Sequence, residues 1–382
     1  MKDGSLIMLA LDWAKAFDSI SPEALLKALR RFGIPEPYVE MVRAIYTDRT
    51  FIVKDAGETS EQHPQHYGIS QGCPLSPFLF VIVMTVLMTD AKHKLTEELG
   101  VHLSADLITN ELLYADDTLI VDVSSAAVTK FMECIAAVGL EYGLIFNWSK
   151  LEALPVRCEV EIPTPDGNVK VKESIIYLGG LLSNDGCVGS ELGRRIGLAQ
   201  VEFKALRRIW SHASMSQQKK LRVFHACVIS KLMYSLHTTW LNTSERRRLD
   251  GFYARCLRRI LGVPSAYISR ISNRVVFERA RAQMLSSTLL AHQLKFFAHV
   301  ARQPSGSALR DNIFEPHTLN PRRLPGVRGR GRPRITWAQA VFAEAAFVAG
   351  SAQRLTTFLQ NTSRANNAWR AAVHDYCRQL PV

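Results

Sequence analysis

The adjacent acids Asp116-Asp117 stand between two short apolar runs, Leu112-Leu113 and Leu119-Ile120-Val121, the pattern of two strands joined by a tight turn. Carboxylates side by side at a hairpin tip repel each other, so the turn asks for a compensating charge. A further acid, Asp12, closes another apolar run, Leu6–Leu11. If that strand lies beside the hairpin, Asp12, Asp116 and Asp117 gather at one sheet edge. Carboxylate oxygens in such a group bind hard divalent cations, Mg²⁺ first among them. Two ions about 4 Å apart activate an attacking hydroxyl and steady the leaving oxygen of an in-line phosphoryl displacement. Taken singly, the pair at the turn also fits a solvated Asp-rich turn, and Asp12 a strand-end helix cap.

The elements that must hold these acids can be read around them. Leu6–Leu11 is a buried strand by its pattern. Ser21-Pro22-Glu23 offers an N-cap, a proline at the first helical position and an acid in the first turn, which predicts a helix to about Phe32, closed by Gly33. A second helix is expected over about Glu36–Asp48, and a strand pair from Phe51 toward His66. Ser76-Pro77 opens a long apolar helix whose densest run, Phe78–Met88, is too short to cross a bilayer. A helix over about Ser125–Tyr142 follows, then short strands near Ala153–Val156, Val169–Val171 and Ile175–Leu182. Strand, helix, hairpin, helix, strand is the split βαβ order of a ferredoxin-like sheet. Beyond Cys187 the periodicity turns helical: Leu249, Phe252, Cys256 and Ile260 form one stripe, with Asn242 and Glu245 as a capping pair. Gln303–Arg334, rich in Pro, Gly and Arg, reads as a linker before a last helical segment, Ile335–Leu380.

Charge divides the chain in the same place. The 382 residues carry a net charge of +12, and a 47 % hydrophobic, 21 % charged composition excludes wholesale disorder. Residues 1–187 hold 15 Lys and Arg against 26 Asp and Glu, a net of −11, whereas residues 188–382 hold 32 against 9, a net of +23. The basic half implies a polyanionic partner, nucleic acid ahead of membrane, and no membrane partner is expected. Seven scattered Cys with no Cys-x-x-Cys pair support neither a disulfide framework nor a zinc knuckle, and suit reduced intracellular thiols.

Five stretches, in order, bear a family likeness. Leu11-Asp12-Trp13-Ala14-Lys15-Ala16-Phe17-Asp18 resembles the first catalytic motif of reverse transcriptases, and Gly68-Ile69-Ser70-Gln71-Gly72-Cys73-Pro74-Leu75-Ser76-Pro77 their second. Tyr114-Ala115-Asp116-Asp117 is similar to the third, Gly143-Leu144-Ile145-Phe146-Asn147 with Lys150 to the fourth, and Tyr177-Leu178-Gly179 to the fifth. The resemblance is nearest to the polymerases of LINE-type, non-LTR retrotransposons, and extends more loosely to Trp337 and Trp369. It implies an α+β fold: a polymerase palm over 1–187, a helical thumb or nucleic-acid-binding region over 188–302, a basic linker over 303–334 and a C-terminal helical segment over 335–382.

The roles it implies fall on named positions. Asp12, Asp116 and Asp117 would hold two Mg²⁺, for which Mn²⁺ can substitute. Phe17 would lie under the incoming sugar and exclude a 2′-hydroxyl; otherwise it is a core ring. Gln71 and Gly72 would meet nucleotide and template, although Gly72 also fits an ordinary turn. Tyr114 would abut the primer end, and Tyr177 and Gly179 would grip the primer. Lys150 would protonate departing pyrophosphate, or else is a solvated surface lysine. Arg194, Arg195, Arg207 and Arg208 would follow the nucleic-acid backbone. Arg330 and Arg332, in Arg330-Gly331-Arg332-Pro333, resemble an AT-hook core, or form a basic linker bound by charge alone.

The expected function is therefore RNA-directed DNA synthesis of a non-LTR retrotransposon, with an RNA template, a DNA primer or target and deoxynucleoside triphosphates. The alternative is a non-catalytic, retroelement-derived RNA- and DNA-binding protein. Met1 stands only eleven residues before Asp12, where the family places a fingers region. The chain is accordingly expected to be the C-terminal portion of such a protein, with its polymerisation impaired. A chromosomal substrate implies an intracellular, nuclear setting.

Overall fold

Alternation along Leu6–Leu11 (strand β1) decides how the first part of the chain is layered. Ile7, Leu9 and Leu11 are buried on one face, while Met8 and Ala10 point to the other. The computed structural model describes residues 4–99, 110–212, 214–322 and 335–380. It is a mixed α+β architecture with the sheet region first and the helical region after it. The chain forms two compact units, one reaching to Leu178 and including Leu182–Asp185, the other made of Gly179–Leu181 and the residues from Gly186 onward.

In the first unit β1 is followed by helices α1 (Pro22–Phe32), α2 (Glu36–Tyr46) and α3 (Ser76–Leu99), then by strands β2 (Asn110–Tyr114) and β3 (Asp117–Asp122). Helix α4 (Ser125–Glu141) leads to β4 (Glu152–Val156), β5 (Lys170–Val171) and a hairpin of β6 (Ser174–Tyr177) and β7 (Gly180–Ser183). The main sheet runs β5-β4-β1-β3-β2, with β1 antiparallel to both β3 and β4. Strand β3, antiparallel to its neighbour on each side, thus separates β1 from β2. The second helix stops at Tyr46, two residues short of the expected end. The strand pair after it is two short ladders, Thr50–Phe51 with His63–Pro64 and Lys54–Asp55 with Glu58–Thr59.

Helices cover one face of the sheet. α1 begins as its sequence asks, with the Ser21 hydroxyl accepting from the Ala24 amide at 3.1 Å and Pro22 in the first turn. Such a cap contributes about 1 kcal/mol. The apolar α3 packs between α1 and α4 and buries Phe80, Val83, Leu87 and Ala91 under the sheet. Arg31 of α1 pairs with Asp90 of α3, and the Tyr142 hydroxyl at the end of α4 donates to the same carboxylate at 2.8 Å. Lys92 of α3 pairs with Glu111, which anchors β2. The opposite face buries Leu119, Leu154 and Ile175 in a smaller cluster.

The second unit is helical, its longer helices being α5 (Val188–Ala205), α6 (Thr243–Leu261), α7 (Asn273–Ala280), α8 (Leu285–Ala301), α9 (Trp337–Ala349) and α10 (Ser363–Gln379). Leu249, Phe252, Cys256 and Ile260 are all buried, and Asn242 and Glu245 close a capping box. The stretch 303–322, expected to be linker, is packed instead. Ala308–Asp311 forms a helical turn, and Phe314, 1 % exposed, meets Phe297 with ring centroids 5.5 Å apart. Arg310 donates to the carbonyls of Ala301 and Thr318. Ile313, Phe314 and Leu319 join the core there, so three apolar anchors outweigh the Pro/Gly/Arg composition around them. Arg330 and Arg332 lie outside the described residues. Among the described residues no helix is long and apolar enough to cross a membrane.

One backbone approach sets a sharp test. Gly143, at φ +80°, packs so closely on the turn just after the first motif that a Cβ would lie 2.5 Å from the Ser19 carbonyl oxygen. Gly143→Ala is expected to destabilise the first unit by about 2–4 kcal/mol. Urea unfolding followed by tryptophan fluorescence reads this, and an unchanged midpoint would refute the packing.

Candidate active site

Strand register brings the acids together. β1 lies against β3 with Leu11 opposite Thr118, and β2 against β3 with Tyr114 opposite Asp117. One step beyond the last paired residues, Asp12 stands opposite Asp117, on the face shared by Ala10 and Leu119. The hairpin closes through Ala115-Asp116, with Ala115 at φ +54°. A left-handed alanine costs about 1–2 kcal/mol, and the turn keeps it while holding Asp116 outward.

The electrostatics follow from that placement. Partial burial pushes the Asp117 carboxyl above the usual range, and the charges of Asp116 and Asp12 push it further. Asp12 Oδ2 is buried without a hydrogen bond, and Lys150 Nζ lies 3.5 Å from it as an ion-pair partner. Lys150 is held there because the fourth motif runs along the first. Ala14 N donates to Ile145 O and Asn147 N to Asp12 O, each at 2.8 Å, and a single turn, Trp148–Lys150, follows. Trp13 and Phe146 seal this contact with ring centroids 4.3 Å apart. Among the described residues no three His, Cys, Asp or Glu side chains are grouped so as to hold a metal ion. The carboxylates share an edge and a field without closing around a point. Their donor chemistry nevertheless suits a hard divalent cation, and the unbonded Asp12 oxygen and the repelled Asp117 are what such an ion relieves.

Around the acids the other expected residues fall in different surroundings. The Phe17 ring stacks on Phe80 with centroids 4.1 Å apart, half-buried against the core. Gln71 donates to Asp18 Oδ1 at 3.3 Å, and Gly72 is exposed with open space where a Cβ would be. The tight approach belongs to Gly68, where a Cβ would meet the Asp18 Cα at 2.9 Å. Tyr114 is exposed at the end of β2. The Tyr177 hydroxyl donates to Leu112 O at 3.0 Å, and burial with the nearby Asp117 charge pushes its phenol up to about 12. Arg49, not singled out from sequence, donates to Ser70 Oγ at 2.9 Å and Gly68 O at 2.7 Å while its guanidinium lies over Tyr46. It braces the second motif, and nothing in the sequence around it sets it apart from the other bases of residues 1–187.

The arginines expected on the nucleic-acid backbone divide. Arg207 and Arg208 are exposed. Arg195 is 5 % exposed, ion-paired with Glu191, donating to Gly179 O and lying over the Tyr234 ring. Arg194 pairs with the same Glu191 and donates to Gly179 O at 2.7 Å. Gly179 is thus held at its carbonyl by two guanidiniums. The Arg195 side chain is committed to these contacts inside the second unit and leaves little surface for a phosphate, which corrects its expected role; Glu191 was missed because it belongs to no motif.

Comparison with known proteins bears on the same residues. Residues 1–180 match the family described as "Reverse transcriptase (RNA-dependent DNA polymerase)", which defines the class of the first unit. The Pol polyprotein of the type-2 retrotransposable element R2DM of Drosophila melanogaster is 32 % identical over 275 residues, covering 66 % of this chain and 24 % of its own length. That of the type-1 element R2 of Popillia japonica is 29 % identical over 154 residues, covering 40 % of this chain and 25 % of its own. Among solved structures, apo telomerase from Candida Tropicalis aligns with 96 % of this chain and 53 % of its own at 12 % identity and a TM-score of 0.38, too low to argue from. The first unit belongs to the reverse transcriptases, of the kind carried by non-LTR retrotransposons of the R2 and LINE type. The chain spans about a quarter of the length of the first two relatives named.

The raised Asp117 carboxyl makes a signed prediction. Its contribution to stability is full below the unfolded pKa of about 4 and is lost as pH rises through the higher folded value. Asp117→Asn is expected to melt higher than the parent at pH 7, with the gap closing near pH 3. Thermal unfolding by circular dichroism at the two pH values checks this, and a lower melting point at pH 7 would contradict the repulsion.

Proposed function

We propose that the first unit is the palm of an RNA-directed DNA polymerase and that the helical region after it begins as a thumb. The observation that carries this reading is the shared field of Asp12, Asp116 and Asp117, with an Asp12 oxygen lacking any hydrogen bond. These three carboxylates would hold two Mg²⁺, or Mn²⁺. Bound there, the ions would supply Lewis-acid activation of the primer hydroxyl and neutralisation of charge on the transferred phosphoryl group.

The remaining residues take the roles that their surroundings support. Lys150, freed from Asp12 when that carboxylate is otherwise engaged, offers an ammonium proton to the departing pyrophosphate. Phe17, stiffened by Phe80, excludes a 2′-hydroxyl and selects deoxynucleotides. Gln71 and Gly72 border nucleotide and template on a loop that Arg49 steadies. Tyr114 meets the primer end, and Tyr177 with Gly179 grips the primer. Arg207 and Arg208 take backbone phosphates, and Arg330 and Arg332 add duplex contacts. The partners are then element RNA, a DNA primer or target and deoxynucleoside triphosphates, in the nucleus. The absence of a closed metal-ligand group among the described residues favours a second reading, a non-catalytic RNA- and DNA-binding protein.

Primer extension on an RNA template separates the two. With Mg²⁺ or Mn²⁺ we expect weak extension, because the acidic unit offers a triphosphate little counter-charge. Asp116→Asn should lower it by more than about 100-fold. A chain that binds template–primer yet extends nothing in either ion is the non-catalytic protein.

A further inference from the structure

Far along the sequence from the acids, the second unit contains a cavity of about 360 Å³ between the C-terminal half of α8 and the start of α10. Lys295 and His299 of α8 and Arg302 at its C-cap reach it from positions i, i+4 and i+7, one side of the helix and its end. Arg370 and Asn366, four apart on α10, and Asn361 and Gln303 add to the polar lining. No carboxylate lines the cavity, and among the described residues Lys295, Arg302 and Arg370 form no ion pair. Arg302 is the least exposed of them. One of its terminal nitrogens donates to Phe358 O at 3.0 Å, while its Nε is buried with no partner. Burial and the neighbouring Arg370 guanidinium depress its pKa.

Three cations border one cavity that no carboxylate lines, and an anion among them would offset their mutual repulsion. Guanidinium forks suit the oxygens of a phosphate. The first turn of α10, with its amides directed outward past the Thr362 cap, adds a further positive end. Amides of Asn361 and Asn366 supply donors and acceptors beside the charge, as sugar and base edges require. The surrounding half of the chain, at +23, favours a polyanion over a free ion.

We propose that this cavity seats a backbone phosphate of a nucleic-acid strand, and that Lys295, Arg302 and Arg370 are its anion ligands. The site is separate from the carboxylate edge, and it stands whether or not the chain polymerises.

Fluorescence anisotropy of a labelled 20-nucleotide single-stranded RNA, titrated with the full chain at several salt concentrations, tests it. Lys295→Ala with Arg370→Ala should weaken binding about tenfold near 0.1 M salt and flatten the log Kd against log salt slope by about 0.7 for each phosphate lost. Asn366→Asp, which adds a negative charge without changing size, should weaken it similarly. Arg378→Ala, on the same helix but outside the cavity, should change Kd by less than about twofold. Lys295, Asn366 and Arg370 are not in the buried core, and melting curves verify that each variant folds. Parental binding by both cavity variants overturns the proposal, and so does an equal loss in Arg378→Ala, which would mean undirected charge. Inorganic phosphate alone forms the other arm. If it raises the melting point of the parent but not of the double variant while RNA affinity is unmoved, the cavity holds free phosphate and the assignment to a nucleic-acid strand fails.

Discussion

Antiparallel pairing of β1 with β3 on one side and β4 on the other is the constraint through which the first unit is organised. Strand side chains alternate with a period of two, so one register decides two things together. It sends Ile7, Leu9 and Leu11 into the helix-covered core, and it sets Asp12 across from Asp117. A slip of one residue would expose the core face and part the carboxylates at the same time. The apolar burial that fixes the register is what lets like charges remain side by side, since repulsion at a sheet edge is offset by a core that cannot be moved. The positive φ of Ala115 and the unbonded Asp12 oxygen belong to the same pattern of local cost held by surrounding structure.

Positive charge in the second unit has two distinct uses. Arg195, Arg258 and Lys220 are buried and donate to backbone carbonyls at Gly179, Ile271 and Trp210. They close helix ends and turns that would otherwise leave acceptors unsatisfied. Arg207 and Arg208, exposed, retain their charge for solvent or for a partner. A net charge summed over a half-chain counts both uses alike, and therefore overstates the positive surface that nucleic acid meets.

Much of the first unit was legible in its sequence, because its signals are local. Ser21-Pro22, Ser76-Pro77 and the acidic turn announce element ends through local helix-start and turn chemistry, and the apolar run of β1 needs no distant partner to be seen. The capping box at Asn242 was legible for the same reason. What escaped depends on contacts between residues far apart in sequence. Arg49 braces a loop about twenty residues on, Glu191 takes two arginines that looked free, and within the second motif Gly68 rather than Gly72 makes the close backbone approach. The packed stretch 303–322 was obscured by composition, since its three apolar anchors are diluted by Pro, Gly and Arg. For the acids, sequence identified the residues and the edge; how tightly their side chains converge is a matter of tertiary geometry that no spacing rule carries.

The division between the two units falls inside the β6–β7 hairpin, since Gly179–Leu181, which includes the first half of β7, belongs with the helices while β6 and Leu182–Asp185 belong with the first unit. Ile175 and Leu182, on the two arms of that hairpin, both pack with Leu119 and Leu154. The units are therefore not separable cassettes at this point of the gene. A recombination or truncation joint drawn at the apparent domain border would cut a hairpin and strip one face of the sheet of its cover. Exchange of the helical region between related elements would have to carry the hairpin with it, or leave it whole behind.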